Sequence, residues 1–125
     1  MFQQGLKGII AAETSISHVD GEKGQLMYRG YAIQEVMGQS TFEQTAYLLW
    51  HGHFPNEQEL DSLTASLKEN RNLPSYMIDL IMSLPKDLDL MNVLRTVISA
   101  EGRASYQWKP TIEQAIRLTA IAPTI

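Results

Sequence analysis

The sequence is 125 residues long and 44% hydrophobic, which suits one domain with a packed core, or part of a larger one. It contains no cysteine, so disulfides, thiolate metal sites and cysteine nucleophiles are excluded. A formal net charge of -4 offers no broad electropositive field for nucleic acid or an acidic membrane surface.

No run approaches the ~18 consecutive apolar residues of a membrane span. The N-terminal MFQQGLKGIIAAET lacks the long apolar run after a basic region that marks a secretory signal. A soluble cytoplasmic protein is the expected class.

In chain order, GLKGIIAAE is expected to be extended. SISHV and QLMYR flank the turn-forming DGEKG, which predicts a β-hairpin with its turn on Asp20-Gly21 and Gly24. AIQEVM follows as a short helical piece ended by Gly38. The segment STFE reads as a capping box that starts a helix at Ser40, its hydroxyl accepting from the N–H of Glu43. Phe42, Ala46, Leu49 and Trp50 fall on one face of that helix, which Gly52 and Pro55 end.

NEQE from Asn56 repeats the capping pattern, with Leu60, Leu63 and Leu67 as the next stripe, stopping near residues 70–73. A third long helix, SYMIDLIMSL, lies between Pro74 and Pro85. A fourth runs from about Leu90 to Ala104, with Met91, Leu94, Val97 and Ile98 on one face. A fifth starts after Pro110, with Thr111 as cap and Ile112, Ala115, Ile116, Thr119 and Ile121 as its apolar positions. No repeat, low-complexity tract or linker appears, so no internal domain boundary is expected. The apolar AIRLTAIAPTI runs to Ile125 without a polar tail, which suggests a truncated chain.

Candidate chemistry is sparse. The histidines are His18, His51 and His53. Two histidines two residues apart do not share a helix face, and a metal would need a third ligand that only His18 could supply. A histidine in a helix's last turn is sufficiently explained by the negative end of that helix. His18, Asp20 and Glu22 lie close together, and a carboxylate can orient a histidine for acid–base work. A solvated hairpin rim is the simpler reading. GEKG is too short for a phosphate loop, and no G-x-S-x-G, G-x-G-x-x-G or G-x-x-x-x-G-K-[ST] motif occurs. Glu57/Glu59 and Asp87/Asp89 read as solvated helix starts. Tyr47, Trp50, Met77, Met82 and Met91 read as core packing. No catalytic, cofactor-binding or metal-binding residue is assigned.

GLKGIIAAETSISHVDGEKGQLMYRGYAIQEV nevertheless resembles the N-terminal segment of the citrate synthase family. The family form T-x-I-x-x-I-D-G-x-x-G-x-L-x-Y-R-G-Y is matched at Thr14, Ile16, Val19, Asp20, Gly21, Gly24, Leu26, Tyr28, Arg29, Gly30 and Tyr31. STFEQTAYLLWHGHFPNEQEL is similar to a second family segment, and VLRTVISAEG and EQAIRLTAIAPTI fit the helices that follow. Asp89-Leu90-Met91 stands where many members have His-Pro before the Met, which resembles the smaller bacterial synthases.

The resemblance implies a mainly α, citrate-synthase-like helical fold with one small N-terminal β-hairpin. Residues 1–125 would form the N-terminal part of the large domain. It implies an acyltransferase that condenses acetyl-CoA with oxaloacetate to citrate and CoA, as a homodimer, with no membrane or nucleic-acid partner. In the family an aspartate takes a proton from the acetyl methyl and one histidine stabilises the enol. A second histidine assists attack on the oxaloacetate carbonyl. No metal or redox cofactor is implied, since the thioester acidifies the methyl and supplies the driving force.

The motifs that carry those groups, H-A-D-H-E, G-x-x-H-G-G-A and G-F-G-H-x-x-Y, are absent from this sequence. The chain alone is therefore expected to be inactive. The alternatives are a 2-methylcitrate synthase acting on propionyl-CoA, and a free-standing helical interaction module. The hairpin is expected to anchor the N-terminus on helices of the large domain and to fix the start of the Ser40 helix, with Arg29 and Tyr31 making local contacts.

Overall fold

The computed structural model describes residues 8, 10, 12–102, 106 and 108–125. Most of the expected extended run GLKGIIAAE lies outside them, as does residue 104, the expected end of the fourth long helix. The chain divides into two compact units, Met1–Asn56 and Glu57–Ile125.

In the first unit, β1 (Ser17–Asp20) pairs antiparallel with β2 (Gln25–Tyr28), with Asp20 opposite Gln25. This is the expected hairpin, and a third strand, β3 (Tyr31–Ala32), extends it in the order β1-β2-β3. Arg29 and Gly30 form the two-residue connection between β2 and β3, at φ 50° and 92°. Positive φ at both positions is the type I′ geometry that matches strand twist. Glycine takes it freely, whereas for an L-residue such as Arg29 the left-handed region costs about 1–2 kcal/mol.

In the β1–β2 loop the left-handed position is Gly24, at φ 62°. Gly21 is not at positive φ, and a Cβ there would meet nothing within 4 Å. The turn therefore requires its second glycine and not the first.

Helix α1 (Ile33–Gln39) packs on β2 and β3 and buries Val36. The next helix, α2, spans Phe42–His51. Its cap is Thr41 and not Ser40: the Thr41 hydroxyl accepts from Gln44 N–H at 3.3 Å, and Gln44 Oε1 accepts from Thr41 N–H at 2.8 Å. The buried face also differs from the expected stripe. Ala46, Tyr47 and Leu48 are buried, and Phe42 is 65% exposed. Gly52 ends the helix at φ 88°, with its N–H on Leu48 O.

The second unit holds α3 (Glu57–Glu69), α4 (Ser75–Ser83), α5 (Leu90–Ala100) and α6 (Ile112–Ile121), closed by a 3₁₀ turn at Ala122–Thr124. Helix α5 ends four residues before the expected Ala104, since Glu101 already caps it. Asp89 accepts from Met91 N–H at the start of α5, and Thr111 makes the expected cap of α6 with Gln114 as its partner.

Helices α3 and α6 contact each other, as do α4 and α5. Leu63 and Leu67 are buried as their stripe predicts. Met77, Val97 and Ile121 form a fully buried cluster, with Leu80, Val93 and Leu118 packed against it. Two of the expected core methionines are not in it: Met82 is 79% exposed and Met91 61%. Both lie at the ends of their helices, where periodicity continues but no neighbouring element faces them.

Met77→Ala should lower the unfolding free energy by about 2–5 kcal/mol, because it opens a cavity where nothing can collapse. Met82→Ala should change it by less than about 0.5 kcal/mol. Urea unfolding followed by helical circular dichroism checks both; equal losses would contradict this core.

Candidate functional site

Each unit carries one polar cluster that draws distant chain segments together. In the first, the Arg29 side chain leaves its strained backbone and reaches the carbonyl end of α2. Nε donates to Leu49 O at 2.9 Å and Nη2 donates to the same oxygen at 2.6 Å. Nη1 donates to Ser15 Oγ at 2.7 Å. Leu49 is among the last four residues of α2, whose carbonyls have no partner within the helix. A cation at that end is also favoured by the helix dipole. The hairpin is thus tied to the end of α2, not to its start as the sequence suggested.

Beyond that end, Gly52 reverses the chain and both histidines meet Tyr47. The His51 ring stacks on it at 4.1 Å, and the His53 ring meets it edge-on at 5.5 Å. As their place at the helix end allows, strict helical spacing does not separate them, because Gly52 has already left the helix. Their common neighbour is the Tyr47 ring. Among the described residues, no group of three or more metal-ligating side chains forms.

Asp20 serves the loop and does not orient His18. Its Oδ1 accepts from Glu22 N–H at 3.1 Å and Lys23 N–H at 3.0 Å, and Oδ2 lies 3.2 Å from Lys23 Nζ. The backbone N–H of Lys23, and then its ammonium, hold the Asp20 carboxyl below its ordinary 3.8. Glu22 supplies only that backbone N–H to the cluster.

In the second unit, Arg117 sits on the inner face of α6, three and four residues before the buried Ala120 and Ile121. Nε donates to Glu101 Oε1 at 3.0 Å, and Nη2 to Glu101 Oε2 at 3.3 Å. Nη1 donates to Asn70 O at 2.6 Å and Asn72 O at 2.9 Å, just past the end of α3. Four of its five N–H donors are thereby committed. Glu101 is 3% exposed and sits at the C-terminus of α5, where its charge opposes the helix dipole; the guanidinium offsets both costs.

A cavity of about 460 Å³ opens beside this pair, lined in part by Leu73, Pro74 and Tyr106. With its arginine already neutralised, it presents no net positive charge to an anion. The sequence reading gave Arg29 only local contacts and missed Arg117. The available signals were the two-residue spacing of Arg29-Gly30 between tyrosines and a charged residue on the apolar stripe of α6.

Neither cluster contains a nucleophile–base pair or a reactive carboxylate set. Comparison with known proteins gives the chain its context. A family model described as "Citrate synthase, C-terminal domain" matches residues 5–125. The chain belongs to the citrate synthase family.

Among its relatives, 2-methylcitrate synthase 2 of Corynebacterium glutamicum is 38% identical over 115 residues, covering 92% of this chain and 30% of the relative. The citrate synthase of Haloferax volcanii is 34% identical over 132 residues, covering 98% and 35%. The crystal structure of citrate synthase from Thermotoga maritima aligns at a TM-score of 0.84 and 36% identity, covering 99% of this chain and 33% of that one. The mainly helical fold with its small sheet is therefore the family's. The chain spans about a third of the length of the curated relatives it matches.

Arg117→Met should destabilise by about 3–5 kcal/mol by removing the guanidinium that pairs with the buried Glu101 carboxylate. Adding Glu101→Leu should restore part of that loss; a double variant no more stable than the single one would refute the coupling. For Asp20 the sign follows from its lowered pKa. Its contribution is present above the ordinary 3.8 and is lost as pH falls through the depressed folded value. A carboxyl NMR titration should place the Asp20 midpoint below 3.8, and Lys23→Ala should raise it.

Proposed function

We propose that this chain supplies the N-terminal part of the large domain of an enzyme that condenses acetyl-CoA with oxaloacetate to give citrate and CoA. The observation that carries this reading is the family match over residues 5–125, against relatives about three times as long. The chain contributes scaffold: the hairpin, the arginine-tied helix ends and the packed α3–α6 group. The proton-abstracting aspartate and the two histidines belong to motifs this sequence does not contain. General acid–base groups contribute about 10²–10⁴-fold each, so a chain without them is inactive alone. The whole enzyme works as a cytoplasmic homodimer and needs no metal or redox cofactor, because thioester chemistry provides the acidity and the driving force.

Propionyl-CoA is the competing substrate, since relatives of both names match at similar identity. One methylene is worth only about 1–3 kcal/mol of discrimination, and the pocket residues that would exert it are not in this chain. The helical interaction module is the other reading. It is favoured by large apolar side chains left at the surface, such as Leu90 at 81% and Trp108 at 94% exposed. Such side chains suit burial against further protein, whether covalently continuous or separate.

Two measurements test the proposal. The 125-residue chain, mixed with acetyl-CoA or propionyl-CoA and oxaloacetate, should release no thiol above background; saturable release would overturn its assignment as scaffold. The intact mass of the native protein in its source cells should be about three times 14.1 kDa. A native species of 14.1 kDa would instead establish the interaction module.

A further inference from the structure

The first unit holds a half-open cavity of about 520 Å³, lined by Tyr31, Glu35, Gln39, Ser40, Gln44 and Phe54. That volume is within the ~300–1,000 Å³ of small-molecule sites. Its lining is one-sided in charge, with the Glu35 carboxylate and no lysine, arginine or histidine. Among the described residues, no cationic side chain lies within ion-pair distance of Glu35. Helix α1 ends at the rim, at Gln39 and Ser40, without a basic residue in its last turn. Its carbonyl end therefore adds to the negative potential. Tyr31 and Phe54 contribute an edge-to-face pair, with centroids 5.0 Å apart and planes at 69°. The negative faces of such rings attract cations.

These features select the ligand. An anion would meet Glu35 with no counter-charge. A purely apolar molecule would desolvate the carboxylate and the Gln39 amide without replacing their hydrogen bonds. A divalent metal ion would find one carboxylate and no further charged ligand, and no ligating cluster of three exists among the described residues.

We propose that this cavity binds a small organic monocation of the guanidinium or alkylammonium class. Its N–H groups donate to Glu35 and to the side-chain oxygens of Gln39 and Ser40, and its apolar surface lies on the Tyr31–Phe54 pair. Gln44 Oε1 is engaged by Thr41 N–H, so that side chain frames the site and does not compete for the cation. The proposal does not rest on the acyl-CoA reaction.

The test compares methylguanidinium with methylurea, which has nearly the same shape and no charge, by amide NMR titration of the 125-residue chain at constant ionic strength. Methylguanidinium should give saturable shifts at Tyr31, Glu35, Gln39 and Ser40, and methylurea should not. Glu35→Gln should weaken binding roughly three- to tenfold, and Phe54→Leu roughly two- to fivefold. Both variants should leave shifts elsewhere in the chain unchanged. Equal response to methylurea, unchanged affinity in Glu35→Gln, or shifts that never saturate would each overturn the proposal.

Discussion

A guanidinium set against the carbonyl end of a helix organises each half of this chain. Arg29 closes the exposed end of α2, and Arg117 closes the end of α3 while pairing with the carboxylate at the end of α5. The last carbonyls of a helix must find donors, and a planar fork with five N–H groups meets several in one plane. Lysine would bring the charge but not that fixed geometry.

Around these points the packing is ordinary. Met77, Val97 and Ile121 fill one small core, and in the first unit Val36, Tyr47 and Leu48 are each buried. Neither set is large for the length of chain it supports. Much apolar surface stays in solvent at the ends of α4 and α5, a pattern expected of a protein that continues its packing against further structure.

Helix positions were legible because punctuation and periodicity agree. Pro74, Pro85 and Pro110 bound helices, Gly52 ends one, and Leu63 and Leu67 hold their stripe. Ser40 failed as a cap because Ser-Thr offers two adjacent hydroxyls, and only the pairing with Gln44 decides between them. Met82 and Met91 failed because periodicity describes a helix face and not whether anything covers it. The polar clusters were hardest to read. Asn70 and Arg117 are 47 residues apart, and no local pattern announces a hydrogen bond over that separation. The Tyr47–His51–His53 group needed the reversal at Gly52, a backbone event that spacing alone treats as an end.

The left-handed backbone of Arg29 has a further consequence for motion. That conformation is held by the guanidinium's bonds to Leu49 O and Ser15 together with the backbone bond from Arg29 N–H to Ile16 O, which couples the strands to the last turn of α2. A sheet with strands this short is marginal alone. The hairpin and the end of α2 therefore form one cooperative opening unit, in which amide protons on either side exchange with solvent through the same event.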